Sequence, residues 1–107
     1  MAKDLLSVTV EEAADSVVVR ATGEIDGYTV PSLQRQLDDI VLRHPNQELY
    51  IDLRDVTFID STGIRLLVHT NRRVRAADGT LIVQRPSSMT RKILETMGVD
   101  KTMTIQP

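Results

Sequence analysis

The sequence predicts an α/β protein of order ββαβαβαβ, with three helices on a mixed, mostly parallel sheet of about five strands. After two initial strands, strand-like segments alternate with segments of helical period, which is typical of parallel strands joined by helical crossovers. The 107 residues fit a single domain, and no linker or internal repeat interrupts them. We therefore expect one domain that spans residues 1–107.

The first two strands are predicted to form an antiparallel hairpin. Leu6, Val8 and Val10 alternate with polar residues, which is the period-2 pattern of a strand with one solvent-exposed face. After a turn at residues 13–15, residues 17–21 form a more fully buried strand. Residues 23–27 are predicted to be the loop that leads into the first helix.

The first helix is predicted from an apolar stripe at helical spacing, formed by Val30, Leu33, Leu37, Ile40 and Val41. Thr29 is its predicted N-cap, and Pro31 lies in the first turn, where a missing N–H is harmless. Pro45 and Asn46 end this helix. The third strand holds Leu49, Ile51 and Leu53, and residues 54–60 are predicted to be a short loop.

The second helix is predicted to run from Ser61 to about Ala77. We expect its inner face to carry Ile64, Leu67, Val74 and Ala77, and its outer face to carry Arg65, His69, Arg72 and Arg73. A turn at Asp78 and Gly79 closes this helix, and residues 81–83 form the fourth strand.

The third helix follows a serine N-cap at residues 87–88. It is predicted to be buried through Met89, Ile93 and Met97, and to end near Gly98. Residues 103–105 are predicted to form the fifth strand.

Composition excludes several classes of function. Thirteen basic and fifteen acidic residues give a net charge of -2, which is too balanced for strong binding to nucleic acid or anionic lipid. The absence of cysteine excludes disulfides and thiol chemistry. Because no apolar run approaches the length of a membrane span, we expect a cytoplasmic protein.

Asp60 and Ser61 stand where the second helix is predicted to begin. Either side chain can cap the free amides of the first turn, which is a purely structural role. A serine hydroxyl at this place also suits phosphorylation, because free N–H groups and the positive end of the helix dipole stabilise an added phosphate. Local chemistry alone leaves both roles open.

Two motifs in the right order carry a family resemblance. Residues 58–64, Phe-Ile-Asp-Ser-Thr-Gly-Ile, follow an apolar strand and strongly resemble the Asp-Ser-[Ser/Thr]-Gly segment of the STAS domain in bacterial anti-sigma factor antagonists. Residues 23–26, Gly-Glu-Ile-Asp, resemble the upstream Gly-Glu-Leu-Asp segment of the same family. The resemblance covers nearly the whole chain and implies the STAS fold.

The resemblance implies a regulatory switch that is not an enzyme. In this family an unphosphorylated antagonist binds an anti-sigma factor, which releases the sigma factor. The anti-sigma factor is a serine kinase that phosphorylates the antagonist, and a serine phosphatase restores it. The phosphorylated serine corresponds to Ser61, with Thr62 as the less favoured acceptor. The implied partner-binding surface consists of Asp26, Asp60, Ser61, Thr62, Gly63, Ile64 and Arg65.

Arg65 departs from the family pattern, which often has glycine or another small residue there. It lies one helical turn beyond Ser61, where it can pair with a phosphate, pair with an acidic partner or remain solvated. Many family members also continue into a C-terminal helix, whereas this sequence ends at Pro107. We expect no cofactor, and a monomer or weak homodimer that binds neither nucleic acid directly nor a membrane.

Other functions remain open at this level. One alternative is a phosphate-handling enzyme that uses Asp52 or Asp60. Asp52 and Asp55 are spaced one residue too far apart for an aspartyl-nucleophile motif, so we interpret them as strand-end and turn carboxylates. A second alternative is nucleic-acid binding, through a basic helix surface formed by Arg65, Arg72, Arg73 and Arg75. His44 and His69 lack a partner at ligand spacing, so no metal site is predicted. A STAS domain in another regulatory or transporter-associated assembly is the last alternative.

Overall fold

The computed structural model describes residues 5–107 and confirms the α/β class and the predicted element order. Residues 1–4, which the sequence assigns to the same domain, lie outside the described part. The elements are β1 (Leu6–Glu12), β2 (Ser16–Ile25), α1 (Val30–Arg43), β3 (Glu48–Ile59), α2 (Ser61–Ala76), β4 (Thr80–Gln84), α3 (Ser88–Thr96) and β5 (Thr104–Gln106). A short 3₁₀ turn, Val99–Lys101, connects α3 to β5.

The five strands lie in the order β1-β2-β3-β4-β5. β1 pairs with β2 antiparallel, and every later pair is parallel. Because parallel crossovers are right-handed and each new strand is added on the same side, the three helices lie on one face of the sheet. The core between them is aliphatic, with Ile25, Leu37, Leu81 and Leu94 among its fully buried side chains.

β2 and β3 are longer than the sequence pattern indicates. Residues 23–25 and 54–59, both predicted to be loop, belong to these strands, since Glu24 pairs with Phe58 and Ile25 pairs with Ile59. The register shifts between Arg20 and Thr22 and again after Gly23. These irregularities break the alternation of apolar and polar residues, which is why the period-2 signal stops early. The added length carries both strands to the start of α2.

The buried face of α3 differs from the predicted one. Met89, Ile93 and Met97 are 73%, 37% and 49% exposed, whereas Thr90 and Leu94 are buried. Thr90 tolerates burial because its amide donates to Ser87 Oγ at 3.1 Å and its hydroxyl accepts from the Ser87 hydroxyl at 3.0 Å. Ser87 is thus the N-cap of α3 as predicted, and the helix is rotated so that its bulkier apolar side chains face outward.

Asp52 is neither a strand-end nor a turn residue. It lies within β3 on the sheet face opposite the helices, and it is buried beside Arg85 and 3.6 Å from Arg20 Nε. Burial alone would raise the pKa of its carboxyl. Hydrogen bonds from the Arg54 amide and the Arg85 side chain outweigh burial and leave the pKa below its ordinary value. Asp52 on β3 thus pairs with Arg20 on β2 and with Arg85, which directly follows β4.

Two residues predicted to face outward from α2 contact α1 instead. His69 Nε2 and Arg73 Nε each lie 3.4 Å from the Asp38 carboxylate, and both side chains are half-buried. Apolar spacing did not reveal this pairing because it joins polar groups along the seam between two helices. The basic surface predicted on α2 is therefore interrupted at Arg73 by an acidic neighbour.

Candidate functional site

The start of α2 lies beside the loop that joins β2 to α1. Parallel pairing of β2 and β3 ends with Ile25 opposite Ile59, and the Asp60 amide continues the ladder by donating to the Ile25 carbonyl at 3.1 Å. Both sequence motifs therefore end at the same edge of the sheet. This edge holds every residue of the predicted partner-binding surface.

Asp60 caps α2. Its Oδ1 accepts the amides of Thr62 and Gly63 at 2.9 and 3.2 Å, and it also accepts the Thr62 hydroxyl at 2.5 Å. These bonds satisfy amides that have no partner inside the helix. The cap fixes the direction in which α2 leaves the sheet.

The hydrogen bond from the Thr62 hydroxyl is the largest influence on the Asp60 carboxyl and lowers its pKa. Amides of Gly63, Thr62 and Gly27 add to this effect and outweigh the opposing effect of desolvation. The donor at Gly27 belongs to the β2–α1 loop. The carboxylate is therefore charged at neutral pH, and the nearby loop contributes to its lowered pKa.

Ser61 and Thr62 have different environments. Ser61 is exposed, whereas Thr62 is half-buried and its hydroxyl is engaged by Asp60. Of the two candidate acceptors, Ser61 thus presents the more accessible hydroxyl. Because Ser61 is the first residue of α2, its backbone is held by the cap on the residue before it.

Asp26 organises the loop before α1. Its Oδ1 accepts the amides of Tyr28 and Thr29, both at 3.0 Å. Thr29 does occupy the N-cap position of α1, but its side chain makes no capping bond to the helix. Its hydroxyl instead accepts the Asp26 amide and donates to the Glu24 carbonyl. Asp26 therefore has a definite structural role at this edge of the sheet.

Gly63 and Ile64 hold α2 against the sheet. Both residues are buried, and a Cβ atom placed on Gly63 would lie 2.6 Å from Ile59 Cγ1 and 2.7 Å from Ile25 Cγ2. Real Cβ atoms essentially never approach other atoms so closely. The close approach explains the glycine at this position by packing, without reference to a partner.

An apolar hollow opens beside Ser61. Ile59, Asp60, Ser61, Ile64 and Arg65 line it from the β3–α2 side, and Ile93 and Met97 line it from α3. Ile93 and Met97 were not predicted as site residues, because their apolar character and spacing indicated a place in the core. Their spacing of four residues is typical of a helix face but does not say which way that face points.

The two histidines considered as metal ligands have acidic neighbours. His44 Nε2 lies 3.0 Å from a Glu12 carboxylate oxygen, and His69 lies beside Asp38. Within residues 5–107, no group of three or more His, Asp or Glu side chains is arranged to hold a metal ion. Over the same residues, no helix has the length and hydropathy needed to cross a membrane.

Comparison with known proteins agrees with this geometry. A family model of the STAS domain matches residues 7–107. The chain belongs to the STAS domain family. It is also 34% identical over 101 residues to the anti-sigma-F factor antagonist RsfB of Mycobacterium tuberculosis, an alignment that covers 94% of this chain and 81% of RsfB.

A second relative of this STAS domain is the anti-sigma-B factor antagonist of Bacillus subtilis. The two are 30% identical over 94 residues, which cover 88% of this chain and 84% of the relative. The crystal structure of an anti-sigma factor antagonist from Mycobacterium paratuberculosis superposes with a TM-score of 0.80 at 30% identity, covering 99% and 89% of the two chains. The predicted family and fold are thus confirmed.

We predict that Gly63→Ala destabilises the protein by about 1–3 kcal/mol, because the new methyl group overpacks the contact between α2 and the two strands. Gly27→Ala is the matched control, since nothing lies within 4 Å of its added Cβ. We expect the control to change the unfolding free energy by less than about 0.5 kcal/mol. Chemical denaturation of both variants measures the difference, and equal stabilities would contradict the packing role of Gly63.

Proposed function

We propose that this STAS domain is an anti-sigma factor antagonist whose binding is switched by phosphorylation of Ser61. In this proposal the unphosphorylated domain binds an anti-sigma factor kinase and releases a sigma factor. The kinase then phosphorylates Ser61 and dissociates, and a serine phosphatase removes the phosphate. Asp26, Asp60, Thr62 and Arg65 contribute to the contact surface, while Gly63 and Ile64 support it from beneath.

The observation that carries the proposal is the contrast between two adjacent hydroxyl groups. The Thr62 hydroxyl donates to Asp60, whereas Ser61 is exposed at the first position of a capped helix. A kinase needs an accessible hydroxyl in a fixed position, and Ser61 supplies both conditions. The names of the two curated relatives support the same assignment of function.

The charge of the site makes such a switch physically sufficient. Phosphorylation adds about -1.5 to -2 charges at neutral pH immediately after the charged Asp60, at an edge that also holds Asp26. Placing like charges together at a protein interface costs several kcal/mol. About 2.7 kcal/mol corresponds to a hundredfold change in affinity. The charge alone can therefore release the partner without a change of fold.

The hollow beside Ser61 gives the partner an apolar contact. A kinase active site that reaches Ser61 must also cover the hollow, because Ser61 is one of its lining residues. Ile93 and Met97 are partly exposed there. Burying such side chains provides binding energy that does not depend on salt, with hydrophobic burial worth about 25 cal/mol per Å². We include both residues in the proposed contact surface.

The alternative functions receive less support from the geometry. A phosphatase nucleophile must reach its substrate, whereas Asp52 is buried among arginines and Asp60 Oδ1 already accepts three hydrogen bonds. The basic surface of α2 is interrupted where Arg73 meets Asp38. A STAS domain of another regulatory assembly would use the same edge, and its partner would differ.

We expect Ser61 to be the phosphorylated residue. Incubation of the domain with its anti-sigma factor and ATP, followed by peptide mass spectrometry, should place the phosphate on Ser61 and find none on the Ser61→Ala variant. Thr62→Ala is the matched control and should still be phosphorylated, because its hydroxyl serves the cap. Phosphate found on Thr62 alone, or undiminished labelling of Ser61→Ala, would refute the proposal.

We also expect Met97→Glu to weaken binding of the unphosphorylated domain to its anti-sigma factor by at least about tenfold, since burying one apolar side chain is worth about 1.5–3 kcal/mol. Met89→Glu makes the same change in the first turn of α3, at a residue that does not line the hollow, whereas Met97 is the C-cap of that helix. Met89→Glu should bind as the wild type does in calorimetry. Equal affinities of the two variants would remove the hollow from the contact surface.

A further inference from the structure

Arg65 is folded back toward Ser61. It lies four residues later on α2, is exposed, and its Nε donates to the Ser61 carbonyl at 3.4 Å. Long side chains on a helix point toward the preceding turn, so this orientation is the ordinary one for its position. Ser61 and Arg65 also line the same hollow, so the guanidinium and the Ser61 side chain border one stretch of surface.

The hollow beside Ser61 is lined by a single cationic side chain, that of Arg65. Among the residues that line the hollow, Asp60 and Arg65 are the charged ones, and α3 contributes the uncharged Ile93 and Met97. The Asp60 carboxylate is committed to the cap of α2, and Asp26 in the neighbouring loop is committed to amides of that loop. Of the groups lining the hollow, Arg65 alone can neutralise an anion on Ser61.

We propose that Arg65 is a built-in counter-ion for phosphoserine at position 61. Its guanidinium turns from the Ser61 carbonyl to the phosphate oxygens, which are stronger acceptors and suit the planar geometry of arginine. The proposal rests on the proposed function for the identity of the modified residue. It adds a residue of this particular chain that determines how the phosphate is held.

The pairing changes what the phosphate presents to other proteins. The phosphate carries about -1.5 to -2 charges and Arg65 carries one positive charge, so the pair still repels an acidic surface of the kinase, but the phosphate must be released from Arg65 before a phosphatase can act on it. We therefore expect Arg65→Gln to be dephosphorylated faster than the wild type by a non-specific phosphatase. In this respect Arg65 stabilises the phosphorylated state of the switch.

The test uses protein that carries phosphoserine incorporated at position 61 during translation, so it needs no kinase. Phosphorus NMR measures the pH at which the phosphate takes up its second proton. Removing an exposed ion pair worth about 0.2–1 kcal/mol should strengthen proton binding by a factor of about 1.4 to 5 in Arg65→Gln. Arg72→Gln is the matched control, because Arg72 is an exposed arginine on the same helix and lies about 16 Å from Ser61 along the helix axis.

We expect Arg72→Gln to titrate as the wild type does and Arg65→Lys to recover part of the difference. The Arg65 Nε–H resonance should also shift on phosphorylation in the wild type. Equal titration midpoints for the Arg65→Gln and Arg72→Gln proteins would overturn the proposal. Failure of a kinase to modify Ser61 would instead count against the proposed function, so the two failures are distinguishable.

Discussion

Asp60 joins three parts of the molecule that must meet for the site to exist. It directly follows β3, its amide donates to the Ile25 carbonyl at the end of β2, and its carboxylate caps α2 through the amides of Thr62 and Gly63. Without a charged acceptor at this point, the free amides of the helix start would need other partners. The position of Ser61 depends directly on this cap, because Ser61 lies between the capping residue and the amides that it binds.

Packing beneath the cap makes the arrangement rigid. Gly63 lets α2 approach Ile25 and Ile59 more closely than any other residue would allow, and Ile64 is buried just after it. A site of this kind can act as a switch without moving its backbone, since the modified hydroxyl is already exposed and the change is one of charge. Conformational entropy is then a small part of the switching free energy.

The sequence was sufficient for the features that depend on local chemistry. A cap of α2 at Asp60 or Ser61, a serine cap of α3 at residues 87–88, the N-terminal hairpin and the apolar stripes of α1 and α2 follow from residue type and spacing, and the structure selects Asp60 and Ser87 as the caps. The sequence did not predict that β3 extends to Ile59. Polar residues and shifts of register remove the alternating pattern there, and the strand is stabilised by its pairing with β2. Propensity gives way to tertiary pairing there.

The sequence also did not predict which face of α3 is buried, and this affected the candidate site. The apolar spacing of α3 is the same whether Met97 or Leu94 faces the core, and only the position of the helix on the sheet decides between them. Likewise, a lone carboxylate such as Asp52 cannot be assigned to a buried ion pair before Arg20 and Arg85 are known to be its neighbours. Both features arise from contacts between residues distant in the sequence.

The most direct test of this account compares the affinity of the anti-sigma factor for the unphosphorylated domain and for the domain carrying phosphoserine at position 61. We expect calorimetry to find at least about a hundredfold weaker binding for the modified form. Backbone amide spectra of the two forms should differ only near the start of α2, the β2–α1 loop and α3. Equal affinities, or spectral changes spread across the whole sheet, would contradict a switch that acts by surface charge at Ser61.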